Sequence, residues 1–408
     1  MAPNCYSHWI IWLFCLSLTS VRVVTAQTTR DSAGVRIVRY ERGATPSFAW
    51  KLSPRPLLEI AADGGEHTEF TNVRGVARLS NGRVAVANGG SNEIRIFSAQ
   101  GTFERTLGRA GGGPGEFTRL VRLLRWGDTL AGVDGDSRAQ VFTPMGDLVR
   151  SLRPARSARA GNPQRIGTSL AGSTFVVVTE GTSRNEREGA AVLLTLTIAS
   201  LAGDSLIAVE TLPSYRMIRV GGAPSRLLFD AEGVIAASGT LSCHAHSSRF
   251  DITCRSRGER TPIRVVREVA TRDVREEERA LVRKAYLDAN LDAPAAIRQQ
   301  MQRAVNDFRF AERAPVFSRL VLSTSDELWV GPFDPGHGLP GAAASRVTRT
   351  AQRWSVFSAK GTWLSDVVLP PRFVPLEMGP DYVAGVAFDA DDVERVVVWR
   401  LTRDVTKD

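Results

Sequence analysis

The sequence predicts an all-β protein: a six-bladed β-propeller closed by an N-terminal strand, with a small helical insertion. Three observations predict it. The stretch Glu93-Ile94-Arg95-Ile96-Phe97-Ser98-Ala99-Gln100-Gly101-Thr102-Phe103 reads as strand, tight turn, strand. Its core returns as Phe357-Ser358-Ala359-Lys360-Gly361-Thr362-Trp363 and as Phe142-Thr143-Pro144-Met145-Gly146-Asp147-Leu148; a unit that recurs this way marks a repeat architecture. Second, an apolar strand, a short polar turn and another apolar strand follow one another six times. Third, the last unit is one strand short, and a matching strand stands near the front of the chain.

The six strand pairs are 75–79 with 84–86, 120–124 with 129–133, 166–170 with 175–178, 226–229 with 234–236, 319–322 with 328–330, and 376–378 with 382–386. Their turns carry Asn81-Gly82, Gly127-Asp128, Ala171-Gly172, Glu232-Gly233 and Ser325-Asp326, residues that tolerate the backbone angles of short hairpins. A third strand follows each pair, and Gly101, Gly146, Gly203, Gly258 and Gly361 open a fourth in five units. Four short antiparallel strands per unit make a propeller blade. A β-sandwich would not repeat its turn chemistry in phase. The sixth unit ends after Val396-Val397-Val398-Trp399-Arg400-Leu401, and Asp31-Ser32-Ala33-Gly34 with Val35-Arg36-Ile37-Val38 resembles the turn and strand that follow Phe97 and Phe357. An N-terminal strand there completes the last blade and leaves no major edge unpaired.

The interval between Gly258 and Gly361 is about twice the usual one, and the excess reads as a helical insertion at 272–313. Asp273 with Glu276 forms a capping box, and Val274, Leu281, Val282, Ala285 and Tyr286 share one helical face. Asp292-Ala293-Pro294 starts a second helix with Ile297, Met301, Val305 and Phe308 on its apolar side. Two readings stay open: a decorative insertion packed on the barrel, or a lid or docking arm.

Residues 1–26 read as a signal peptide: a short apolar run, Trp9-Ile10-Ile11-Trp12-Leu13-Phe14-Cys15-Leu16-Ser17-Leu18, then small residues at Val24-Thr25-Ala26. The run is too short to cross a bilayer comfortably; an uncleaved anchor is the alternative, because no Lys or Arg precedes it. The expectation is a monomeric domain at 27–408 that is secreted or periplasmic, with no membrane span after the signal. Removing the signal leaves Cys243 and Cys254, which an oxidising compartment would join; two buried free thiols are the other reading. The net charge is +9, yet Lys51, Lys284, Lys360 and Lys407 are the only lysines and the arginines are scattered. That pattern does not form a nucleic-acid stripe, so no nucleic-acid partner is expected.

With the motifs in place, residues 131–134 through Arg138-Ala139-Gln140-Val141-Phe142, together with the crossover Gly111-Gly112-Gly113-Pro114-Gly115-Glu116-Phe117, resemble NHL repeats and related six-bladed propellers. That resemblance implies the ring architecture and a choice among scaffolds, ligand receptors and a few enzymes. The calcium-dependent lactonases and phosphotriesterase-like members hold a cation at the channel with carboxylates and Asn side chains, since a hard cation needs several oxygens. Asn88, Asp134 and Glu180 stand where such oxygens would be, but Ser238, Gly331 and Asp389 do not complete the set. The zinc-dependent lyases of this fold need several histidines, and after the signal His67, His244, His246 and His337 remain.

In a propeller the crossovers between blades and the loops after each second strand gather on one face around the channel mouth. The candidate ligand-binding residues there are Asn88, Arg109, Glu116, Asp134, Glu180, His244, His246, Asp334 and His337. No nucleophile elbow, phosphate loop or Ser-His-Asp order is present, so no catalytic residue is assigned and no cofactor is expected. A concave polar ring suits a small molecule, glycan or peptide. The sequence therefore favours an exported binding module with an unidentified ligand, protein or glycan partner. The alternative is a metal-dependent hydrolase or lyase using calcium.

Overall fold

The computed structural model describes residues 27–403 apart from 62–64, 136–137, 144, 153–162, 171–173, 182–190, 201–205, 221–222, 239, 257, 290 and 337–349; for the strands between 163 and 210 it describes backbone alone. Six sheets, antiparallel but for one N-terminal strand, make up the body among the described residues. From inner to outer strand, blade 1 is Val73–Arg78, Val84–Asn88, Glu93–Phe97 and Phe103–Leu107. Blade 2 is Leu120–Trp126, Thr129–Asp134, Ala139–Phe142 and Leu148–Leu152. Blade 3 is Pro163–Leu170, Thr174–Gly181, Ala191–Ser200 and Leu206–Val220, with Ala223–Arg226 paired to the last. Blade 4 is Gly233–Ala237, Leu241–His246, Asp251–Ser256 and Ile263–Arg267. Blade 5 is Phe317–Leu322, Leu328–Pro332, Gln352–Phe357 and Trp363–Leu369. Blade 6 is Phe373–Met378, Tyr382–Phe388 and Glu394–Thr402. Each inner strand adjoins the next, and the sixth returns to the first. The fold is an all-β, six-bladed propeller.

A blade packed between two neighbours needs apolar residues on both faces of its strands, and blade 1 has them. Val84, Ala85, Val86 and Ala87 are all fully buried. Val76, Val86 and Phe97 meet Tyr382, Ala384 and Val398 across the junction of blades 1 and 6. On the other side of blade 1, Ala85 and Ile96 meet Phe117, Leu120 and Leu130 of blade 2. Fully burying one such side chain is worth roughly 1.5–3 kcal/mol, so these inter-blade seams are where the ring is held.

The recurring motif is a recurring turn. Ser98 N–H donates to Thr102 O and Gly101 N–H to Ser98 O; Ser358, Thr362 and Gly361 repeat both bonds, as do Thr143, Asp147 and Gly146. The glycines sit at φ of 88°, 82° and 101°, a region costly for residues with a Cβ. Each also presses on the outer strand of the preceding sheet. A Cβ on Gly146 would come within 2.7 Å of Leu107, and one on Gly361 within 3.1 Å of Val265. Backbone conformation and inter-blade contact thus require glycine at the same place. Gly258 has φ 88° as well; Gly203 and the Ala171-Gly172 turn lie outside the described residues.

The N-terminal segment closes the ring, but not with the expected residues. Val35–Tyr40 pairs in parallel with Ile263–Arg267, as a fifth strand on blade 4, and Gln27–Ser32 adds a sixth. The chain then runs along blade 5, where Ser47 and Phe48 N–H donate to Trp363 and Leu364 carbonyls. It completes blade 6 with Lys51–Leu52 and Leu58–Ile60, both paired to Glu394–Thr402. The turn-plus-strand likeness at 31–38 is real, since Ala33 and Gly34 take positive φ, yet it makes a hairpin on the outside of blade 4. The apolar, β-branched run Val35-Arg36-Ile37-Val38 pairs as well with one sheet edge as with another, and chain reach selects between them.

The fourth strand pair is also displaced by one strand. Gly233–Ala237 is itself the inner strand and its partner is Leu241–His246. Leu228 bridges Phe310 instead, and Glu232-Gly233 is not the hairpin turn. The insertion carries helices α1 (Glu276–Asp288) and α2 (Ala295–Asn306). The capping box lies two residues beyond the expected one: Glu278 accepts the Arg275 N–H, while Asp273 pairs with Arg313. Val282 and Ala285 are buried, and Val274, Phe229, Phe308, Phe310 and Phe333 complete a cluster that seats the insertion on the ring. Ile297 is exposed. Among the described residues no helix is long and apolar enough to cross a membrane.

Candidate functional site

One face of the ring carries the links between blades and the loops after each second strand. Asn88 and Asp134 end the second strands of blades 1 and 2 and are buried. Asn88 Oδ1 accepts the Thr71 N–H at 2.9 Å and its Nδ2 donates to Ser91 at 2.8 Å. Asp134 accepts the N–H groups of Thr118 at 3.2 Å and Arg119 at 3.0 Å, and pairs with Arg138 at 2.6 Å. Both side chains bind the backbone that leads into their own inner strand. They are struts, and their engaged oxygens do not fit a calcium ligand set.

Arg109 and Glu116 stand on the glycine-rich crossover and meet at 2.8 Å. Glu116 also accepts the Gly113 N–H at 2.8 Å. That backbone bond, with the Arg109 guanidinium, holds its carboxyl below the usual range. Glu180 lies in the second strand of blade 3, opposite Leu194. His244 is buried within the second strand of blade 4, and His246 ends it. His246 Nδ1 lies 2.8 Å from the Ser248 hydroxyl. Burial pushes its imidazole below the ordinary value, against the pull of Asp230. Cys243 and Cys254 face each other on adjacent strands and are joined in a disulfide. Asp334 accepts from Gly336 N–H at 2.9 Å and Gln352 Nε2 at 3.2 Å. His337 lies outside the described residues. Among the described residues no group of three or more His, Cys, Asp or Glu is placed to hold a metal ion.

The face also holds arginines that the sequence reading passed over. Arg74 sits where the inner strand of blade 1 shifts register between Val73 and Gly75. Arg119 precedes the inner strand of blade 2, and Arg319 lies in that of blade 5. Arg319 donates to the Pro375 carbonyl at 3.0 Å and stands 5.5 Å above the Trp354 ring. Burial lowers its pKa, and Asp334 opposes the shift. The available signal was an arginine inside or beside an otherwise apolar inner strand, as in Val73-Arg74-Gly75-Val76.

Acid and base are therefore used differently on this face. Glu116 and Asp134 are each engaged by backbone N–H groups and by a guanidinium, while the Arg74 and Arg119 guanidinium groups make no hydrogen bond among the described residues. The geometry defines a β-propeller with a polar, cationic mouth on its crossover face.

Comparison with known proteins agrees at the level of fold. No family model and no curated protein matches the chain. A member of the DUF4221 family from Bacteroides vulgatus superposes with a TM-score of 0.51 at 7% identity, covering 88% of this chain and 100% of that one. A protein of Bacteroides fragilis described as exported gives 0.47 at 11% identity, over 90% and 99% of the two chains. The calcium-binding protein regucalcin from Agrobacterium tumefaciens gives 0.36 at 10% identity, over 88% and 96%.

Proposed function

We propose that the chain is an exported β-propeller binding module of the NHL-repeat kind, taking a small molecule, glycan or peptide at its crossover face. The observation that carries this reading is the division of labour at the mouth. Asn88, Asp134 and Asp334 spend their oxygens on the chain's own donors, so the groups left to meet a ligand are hydrogen-bond donors and glycine-lined backbone. Donors of that kind fix a ligand's orientation and give specificity. Export rests on the short apolar run and the small residues at Val24-Thr25-Ala26.

The test is a thermal-shift screen of the purified exported protein against metabolites, oligosaccharides and peptides, beside elemental analysis with and without chelator. A binding module shows saturable stabilisation by one class, of about 2.7 kcal/mol at a hundredfold excess over Kd, and no turnover. Stoichiometric calcium or zinc, together with hydrolysis of a lactone or phosphotriester, would replace this reading with a metal-dependent hydrolase.

A further inference from the structure

We propose that the crossover face binds an oxyanion, the carboxylate or phosphate group of a ligand, between Arg74 of blade 1 and Arg119 of blade 2. The inference deepens the binding-module reading and rests on it. Arg74 and Arg119 lead the inner strands of neighbouring blades. Neither guanidinium makes a hydrogen bond or ion pair among the described residues. The acids beside them are already committed: Glu394 accepts the N–H groups of Asn72 at 2.9 Å and Val73 at 2.7 Å, and Asp134 accepts those of Thr118 and Arg119. Burial lowers the Arg74 pKa; Glu394 works against this and the Arg119 charge adds to it. The two cations are therefore close enough to repel, without a carboxylate free to sit between them.

Both side chains also lie along glycines of their own mouth loops. A Cβ on Gly89 would stand 3.0 Å from Arg74 Cγ, and one on Gly135 would stand 2.4 Å from Arg119 Nε. Both residues are exposed as a whole, but the Arg74 guanidinium is half-buried. A half-buried guanidinium that makes no hydrogen bond is costly, and departures of this kind concentrate at functional sites. An oxyanion would supply the missing hydrogen bonds and offset the repulsion between the two cations, and the planar guanidinium fork matches the geometry of carboxylate and phosphate alike.

The experiment measures thermal unfolding and titration calorimetry of the whole exported chain with inorganic phosphate, with citrate, and with chloride at matched ionic strength. Saturable stabilisation by phosphate or by citrate beyond chloride is expected, and the pair separates the two sources of the anion. Arg74→Gln and Arg119→Gln should each weaken that binding roughly tenfold or more. Gly135→Ala should weaken it several-fold with an unchanged unfolding midpoint, because the atoms nearest the new methyl are the flexible end of the Arg119 side chain. Without anion, Arg74→Gln should unfold at the wild-type temperature or higher. A fall of more than roughly 3 °C would make Arg74 a structural strut and overturn the proposal. No effect beyond chloride, or one that persists in the Arg74→Gln/Arg119→Gln double variant, would also overturn it, the latter as an adventitious ion only. If neutral ligands bind while both anions do nothing, the oxyanion site falls and the binding module stands.

Discussion

Tyr40 ties the start of the chain to a turn 321 residues away. Its buried hydroxyl donates to the Gly361 carbonyl at 2.9 Å and accepts the Trp363 N–H at 2.7 Å. The ring rests edge-on against Trp363, with centroids 5.7 Å apart. Tyr40→Phe keeps the packing and leaves two buried backbone groups without a partner, at a cost of roughly 1–3 kcal/mol. Urea unfolding measures it, and a change under about 0.5 kcal/mol would mean that water replaces the hydroxyl. A second device appears twice on the face opposite the mouth. Asp128 accepts from Ser80 in the preceding blade, and Asp326 accepts from Ser238 and Thr240 in the same relation.

Among the elements, helix α1 depends on charge at its first turn. Burial would raise the Glu278 carboxyl, but hydrogen bonds from Arg272, Arg275 and the Arg275 N–H outweigh it and bring the pKa down to about 2. A depressed folded pKa stabilises the helix fully above the unfolded value, about 4.3, and the contribution fades as pH falls toward 2. Amide-exchange protection of the first turn should therefore decline between about pH 4.3 and pH 2 in the wild type and stay level in Glu278→Gln. Equal profiles for the two proteins would refute this. The disulfide is the second element-level brace. Cys243 and Cys254 are 11 residues apart, and closing so short a loop contributes about 3 kcal/mol in the chain-entropy picture. The double Cys→Ala variant should lose about 2–3 kcal/mol in urea; identical unfolding curves would show that the strand pairing needs no covalent help.

For the molecule as a whole, closure is decided at blades 6, 1 and 2. Glu377 of blade 6 accepts the Arg78 N–H of blade 1 at 2.6 Å and the Arg125 Nε of blade 2. Tyr382 lies 3.5 Å from both Arg125 Nη2 and the Arg78 carbonyl. Burial disfavours the Arg125 cation, and Glu377 with Tyr382 more than offsets that. Glu377→Ala should cost about 3–5 kcal/mol, because it strands a buried guanidinium. The Arg125→Met/Glu377→Leu pair should recover most of the loss in the same urea assay; failure to recover would point to the Arg78 N–H as the bond that matters. The N-terminal segment acts at this scale too. It joins blades 4, 5 and 6 in succession before the first blade begins.

Repeats and turn chemistry were legible in the sequence because they are local. Phe97, Gly101, Phe357 and Gly361 announce the same hairpin wherever it sits, and strand pairs repeating in phase imply a ring, even though the fourth pair is displaced by one strand. The strand-end positions Asn88 and Asp134 were legible as positions, but their use was not, since the partners at Thr71, Thr118 and Arg119 are set by how the crossover folds back. Which strand of the N-terminal segment completes blade 6, and that 35–40 joins blade 4, depends on the path of the chain around the outside. The nearness of Arg74 and Arg119 is likewise a tertiary property. Arg74 and Arg119 are separated by a whole blade in sequence; the packing of blade 2 on blade 1 sets their charges near one another, and ring closure brings Glu394, from the far end of the chain, to spend both oxygens on the backbone just ahead of Arg74.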